Sequence, residues 1–236
     1  MNVNIGGGKG WQHKGWINLD RSTGYILHPE TVFPVPDKSA EIVYSSHCFE
    51  HLNDATVDQM LRETRRALNG TFVLKIPDFD AVLEAWRYGD EAYLSAERWG
   101  MTKVIQTWKN RGVENNIDSR ASMIFCGWWN DSYGNEFDDR HPEAEGAYHG
   151  PAHGLQENRE LMISRYSPHE IADTLSSHVK THEHDAHFNH QNAWSRDELS
   201  ELLTGHGFDV SMDVVPHLDI PGLRVQQGIS IYVIAT

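Results

Sequence analysis

Cysteine is nearly absent: the 236 residues contain only Cys48 and Cys126. Two such thiols show no pairing pattern, which argues against a disulfide framework and suits a reducing compartment. Long apolar runs are missing as well. No stretch approaches the roughly 18 residues that mark a membrane-crossing helix, and the opening Met-Asn-Val-Asn-Ile reads as a strand rather than a signal peptide. Positive charge is scarce, with 20 Lys and Arg against 34 Asp and Glu and a formal net charge of -14. No basic cluster is visible, so neither nucleic acid nor a membrane surface is the expected partner. The expectation is a cytoplasmic protein acting on a small molecule.

What is present is ordinary for a folded chain. The apolar fraction of 39% and charged fraction of 23% fit a globular protein, and the length fits one domain with a large insertion, or one domain plus a small lobe. Asn2 to Ile5 reads as a strand running into Gly6-Gly-Gly-Lys-Gly10, and Trp16 to Asp20 as a second strand ending in an acid. Glu41 to Ser46 and Thr71 to Ile76 read as further strands, joined by a helix over Asn53 to Leu68 whose Val57, Met60, Leu61, Thr64 and Leu68 recur at helical spacing. Strand, helix, strand at this length implies a parallel crossover.

A helical pattern follows Pro77-Asp78 through Phe79, Val82, Leu83 and Trp86. From about Gly89 to Gln191 regularity fades, with one helix expected near Ser167 to Ser176. Ser195-Arg-Asp-Glu198 then forms a capping box opening a helix that Gly207 ends. Strands near Phe208 to Val215 and Gly228 to Ala235 close the chain. The expected organisation is therefore a core of residues 1–88 and 191–236 and a lid insertion of residues 89–190.

The chemistry concentrates at strand ends. A glycine loop after the first strand lets backbone approach a ligand closely, and Asp20 at the end of the second is placed to accept from ribose hydroxyls. No Lys-Ser or Lys-Thr follows the glycines, so a P-loop is not expected. Only five residues separate Gly10 from Trp16, too few for a crossover helix. Tyr44-Ser-Ser-His-Cys-Phe-Glu-His-Leu52 brings Ser46, His47, Glu50 and His51 to the carboxyl end of the third strand, where ligand crevices of open α/β sheets lie.

Asn4-Ile-Gly-Gly-Gly-Lys-Gly10, Gly15-Trp-Ile-Asn-Leu-Asp20, Phe33-Pro-Val-Pro-Asp37, Ser45 to Leu52, Arg66-Ala-Leu68 and Ile76-Pro-Asp78 together resemble class I S-adenosylmethionine-dependent methyltransferases, and among them predicted methyltransferases related to the type 11 group. The likeness covers roughly residues 1 to 90, and His187 to Phe208 resembles the family's late helix. It implies an α/β fold with a Rossmann-like, mostly parallel sheet, an antiparallel last strand and a large irregular or helical lid. It implies that Gly6, Gly7 and Gly8 line the methionine part of S-adenosylmethionine and Asp20 holds the ribose, with Arg21, Ser46 and His47 also beside the cofactor. His51 and Asp78 would face the substrate. Asn4 stands where the family usually has an acid, and Asn69-Gly70 replaces its Pro-Gly-Gly.

The activity so implied is methyl transfer to an oxygen or nitrogen of a small hydroxylated acceptor such as a sugar. His51 or His47 would take the acceptor's proton, since imidazole titrates near neutrality. Two other readings stay open: a non-catalytic nucleoside-binding protein on the same fold, and a metal-dependent hydrolase. The hydrolase reading rests on the insertion's His141, His149, His153, His169, His178, His182, His184, His187 and His190; separately, His47, Glu50 and His51 share one face if the helix begins early and could hold a metal on a substrate hydroxyl. Glu50 capping the helix start is the plainer alternative. Trp99, Trp108, Trp128 and Trp129 either stack on a ring or form the lid's own core. The sequence does not fix the oligomeric state, and an uncovered sheet edge leaves a homodimer open.

Overall fold

The first strand, β1 (Asn2–Ile5), lies between β2 (Trp16–Leu19) and β3 (Ala40–Ser46) and runs parallel to both. Helix α1 (Asp54–Ala67) leads to β4 (Leu68–Pro77), which pairs in parallel with β3. The last two strands are β5 (Val210–Met212) and β6 (Ser230–Ala235), and β6 is antiparallel to both β4 and β5. The sheet order is β2-β1-β3-β4-β6-β5. This is the expected α/β fold, a Rossmann-like sheet that is mostly parallel with an antiparallel last strand. The computed structural model describes residues 1–102, 105, 114–127, 159–177, 190–213, 218–223 and 228–236.

The order doubles back at β1, which has β2 on one side and β3 on the other. At such a switch point the crevice opens at the carboxyl ends of the strands. Those ends carry Gly6 to Gly8, Asp20 and Ser46-His47.

Alternation along β4 divides the core. Phe72 and Val73 are both fully buried and, as neighbours on a strand, face opposite sides. Phe72 meets Phe49 and Phe208, with ring centroids 6.0 and 5.7 Å away. Val73 packs with Tyr44 and Ile220, against which Trp11 and Trp16 are half-buried.

Helix α1 begins where Asn53 caps it, its side chain accepting from Thr56 N–H at 2.9 Å. It buries Val57, Met60, Leu61 and Thr64, the stripe read from the sequence. The helix does not begin early. Phe49–His51 forms a separate single 3-10 turn, so His47, Glu50 and His51 do not share an α-helical face.

Two motifs distant in sequence meet beside α1. Arg66 donates to Val35 O at 3.0 Å, Phe33 O at 3.1 Å, Asp37 at 2.7 Å and Glu63 at 2.7 Å. Glu63 in turn accepts from Phe33 N–H at 2.8 Å. One guanidinium fork thus fixes the Phe33 to Asp37 segment entering β3.

The chain divides into two units, Met1–Asp78 with Arg196–Thr236, and Phe79–Ser195. The second holds α2 (Phe79–Tyr88), α3 (Ala96–Trp99), α4 (Ile117–Cys126), α5 (Arg159–Arg165) and α6 (Pro168–Ser177). Helix α2 therefore falls outside the sheet unit, with the boundary at Asp78 rather than at residue 88. Its Phe79, Val82 and Trp86 share a cluster with Phe125, Met162, Ile171 and Leu175. Trp86 Nε1 also donates to Asp118 at 2.7 Å.

The sequence suggests only one helix between Gly89 and Gln191, yet α3, α4 and α5 stand there besides α6. Helix α4 is buried continuously from Ser119 to Cys126, so it shows no amphipathic period. Helix α7 (Arg196–Gly205) belongs to the first unit and buries Leu199 and Leu203.

Candidate functional site

The loop after β1 folds back on β2. Gly6 N–H donates to Leu19 O at 2.9 Å, Gly7 N–H to Asn18 Oδ1 at 3.2 Å and Gly8 N–H to Asp20 Oδ2 at 3.1 Å. Asn18 Nδ2 donates to Gly8 O at 3.1 Å, and the Asn18 and Asn4 side-chain amides are hydrogen-bonded to each other at 3.0 Å. Asn4 is 1% exposed. It braces the loop from beneath through Asn18.

Two glycines in this loop have definite reasons. Gly6 has φ 77° and a Cβ there would meet Cys48 Sγ at 2.2 Å, so close packing and backbone both require it. Gly8 has φ 72°, but a Cβ there would meet nothing within 4 Å. The loop is therefore filled from beneath at Gly6 and open at Gly8.

Asp20 is half-buried and does two structural jobs. One oxygen accepts from Gly8 N–H, the other from Ser22 N–H at 2.8 Å and from the Ser22 hydroxyl, capping the 3-10 turn Arg21–Thr23. Arg21 is exposed at the start of that turn.

The carboxyl end of β3 supplies the other wall. Ser46 is half-buried, and its side chain hydrogen-bonds Tyr44, whose phenol is pushed up in pKa by burial despite that bond. His47 has φ 50°, a left-handed conformation uncommon outside glycine, and its N–H donates to Lys75 O at 2.9 Å. Its Nδ1 is 3.1 Å from Glu50 Oε1, and its Nε2 is 3.3 Å from Ser230 Oγ. Glu50 is fully buried. His51 is half-buried on the following turn.

The N-cap of α1 is Asn53, and Glu50, on the turn before it, meets the His47 ring.

Asp78 is 5% exposed at the end of β4, and both its oxygens accept from Arg196, at 2.8 and 2.9 Å. Arg196 also reaches Asp213 at 3.1 Å, and these carboxylates hold its guanidinium more firmly protonated than usual. Asp78, which the resemblance implies faces the substrate, is thus clasped by Arg196.

Four residues at this site carry no role in the sequence reading. Asn18 sits inside a recognised motif, so its signal was available. Lys75 interrupts the apolar run of β4 and is 4% exposed, a charge where buried strands rarely hold one. Burial pushes its pKa down to about 8, with Glu50 opposing the shift. Arg196 was visible only as part of a capping box. Ser230 gave no local signal.

The histidines of the insertion are described at His169 and His190 alone. His169 Nε2 is 3.6 Å from Asp173; His190 is 1% exposed and meets Phe79 edge-on at 5.7 Å. His141, His149, His153, His178, His182, His184 and His187 lie outside the described residues, as do Trp108, Trp128 and Trp129. Trp99 donates to Tyr93 O at 3.0 Å and packs edge-on to its ring, which makes it part of the second unit's own core. Among the described residues no helix is long and apolar enough to cross a membrane.

No family model and no curated protein matches the chain. Comparison with solved structures returns an S-adenosylmethionine-dependent methyltransferase from Thermotoga maritima, named as a possible histamine N-methyltransferase, at 13% identity and a TM-score of 0.37, covering 99% of this chain and 80% of that one.

Proposed function

We propose that this chain is an S-adenosylmethionine-dependent methyltransferase whose cofactor crevice lies at the carboxyl ends of β1, β2 and β3. One observation carries the reading: Gly8 and Asp20 are joined at 3.1 Å across the carboxyl ends of β1 and β2, next to the switch point between β1 and β3, where open α/β sheets bind nucleosides. The residues fit the cofactor. The N–H groups of Gly6, Gly7 and Gly8 are all turned inward, so the loop is not the amide nest that a phosphate requires. What it offers is the carboxylate of Asp20, an acceptor suited to ribose hydroxyls, and open space over Gly8. A cationic, phosphate-free nucleoside suits that acceptor.

When bound, S-adenosylmethionine supplies an electrophilic methyl on sulfur. The protein's share is to orient and to manage one proton. His47 stands beside the glycine loop on the neighbouring strand and is the residue to take the acceptor's proton, with the acceptor a small molecule bearing a hydroxyl or amine. His51 follows it on the acceptor side. Asp78, held by Arg196, keeps the end of β4 in place.

Calorimetry with S-adenosylmethionine and S-adenosylhomocysteine tests this. Saturable binding of both, weakened at least about tenfold in Asp20→Ala, is expected from loss of a ribose contact. Failure of wild type to bind either ligand overturns the reading.

A further inference from the structure

We infer that Glu50 is a positioning residue for His47, fixing Nδ1 as its protonated nitrogen and leaving Nε2, beside Ser230, as the one that accepts a proton. This rests on the methyltransferase reading for its chemical purpose but not for its geometry. Glu50 is fully buried and presents Oε1 to Nδ1 at 3.1 Å. An ionised carboxylate only accepts, so the hydrogen of a neutral imidazole belongs on Nδ1. Nε2 is then bare, and the Ser230 hydroxyl, 3.3 Å away, donates to it.

The three groups come from separate elements. His47 ends β3, Glu50 lies on the 3-10 turn Phe49–His51, and Ser230 opens β6 opposite Pro77. The left-handed backbone of His47 turns the chain between the first two, and a non-glycine residue in that conformation persists only where its surroundings hold it. Their arrangement matches the logic by which a buried acid sets the tautomer of a catalytic imidazole. Ser230 occupies the place an acceptor's hydroxyl would take. It would hand Nε2 to the entering O–H, whose proton would move to Nε2; S-adenosylmethionine, when bound, would supply the methyl and keep the electron pair of the broken methyl–sulfur bond.

The test is spectroscopic. The full chain is labelled with 15N-histidine, the His47 signals are assigned by their loss in His47→Gln, and ring nitrogen shifts are read near pH ~8.5, where imidazoles are mostly neutral. The expected result is an Nδ1–H tautomer favoured at least about tenfold, as a charge-assisted hydrogen bond gives, falling to no more than a few-fold in Glu50→Gln. Ser230→Ala should keep the tautomer, because Glu50 sets it, and an amide spectrum of Glu50→Gln that matches wild type away from His47 shows that this variant is folded. An Nε2–H tautomer in wild type, or a preference that Glu50→Gln leaves unchanged, overturns the inference. Calorimetry on the same wild-type sample separates the two claims: without cofactor binding the methyltransferase reading fails, while the tautomer result still decides the positioning role.

Discussion

Arg196 clasps Asp78 with two parallel hydrogen bonds, so the acid at the end of β4 is tied to the start of α7. Asp78→Ala and Arg196→Ala should each cost about 1–3 kcal/mol, the range for hydrogen bonds to charged groups. The double variant should cost clearly less than the sum. Urea unfolding measures this, and strict additivity would show that the clasp contributes nothing of its own.

Gly6 and Gly8 share a left-handed backbone but not a surrounding. Both alanine substitutions meet the same backbone penalty, about 1–2 kcal/mol, yet only Gly6→Ala collides with Cys48. Gly6→Ala should be less stable than Gly8→Ala by about 1–3 kcal/mol from overpacking. Equal unfolding midpoints for the two would mean the loop can move off Cys48.

Lys75 gives a pH signature at the alkaline end. Burial lowers its pKa from 10.5 to about 8, so between those values the unfolded chain binds more protons and the Lys75 contribution to stability rises with pH. The stability of wild type minus that of Lys75→Met should therefore climb from about pH 8 to 10.5. A flat difference would mean the ammonium keeps its ordinary hydration.

Glu63 gives the acid counterpart. Burial alone would raise its pKa, but hydrogen bonds from Arg66 and from Phe33 N–H outweigh it and hold the carboxyl below its ordinary value. A lowered acid stabilises the fold above its unfolded pKa, and that stabilisation is lost as pH falls through the lowered value. Glu63→Gln should lose about 1–3 kcal/mol at pH 7 and show a shallower decline below about pH 4. An identical acid limb in wild type and Glu63→Gln would contradict the assigned hydrogen bonds.

The strands were legible because each is a short β-favouring run bounded by turn residues, and the observed β1 has the limits the sequence suggests. Helix α1 was legible through its one-sided stripe. Helix α4 was not, since it is buried over most of its length. The crevice residues on β1, β2 and β3 were within reach because strand ends collect functional groups, but what they do to one another was not. That the glycine amides turn toward Asn18 and Asp20 depends on the pairing of β1 with β2. That Ser230 reaches His47 depends on the antiparallel register of β6, set across most of the chain's length.

The Asn18 and Asp20 staples also make the alignment of the two first strands intolerant of error. Asn18 faces Asn4, and Leu19 faces Ile5. A slip of one residue would put an aliphatic side chain where the Gly7 amide now finds its acceptor and turn the carboxylate to the wrong side of the sheet. An insertion between Gly10 and Gly15 would leave that pairing intact, whereas one residue added within Trp16 to Asp20 would dismantle the glycine loop without touching a single glycine.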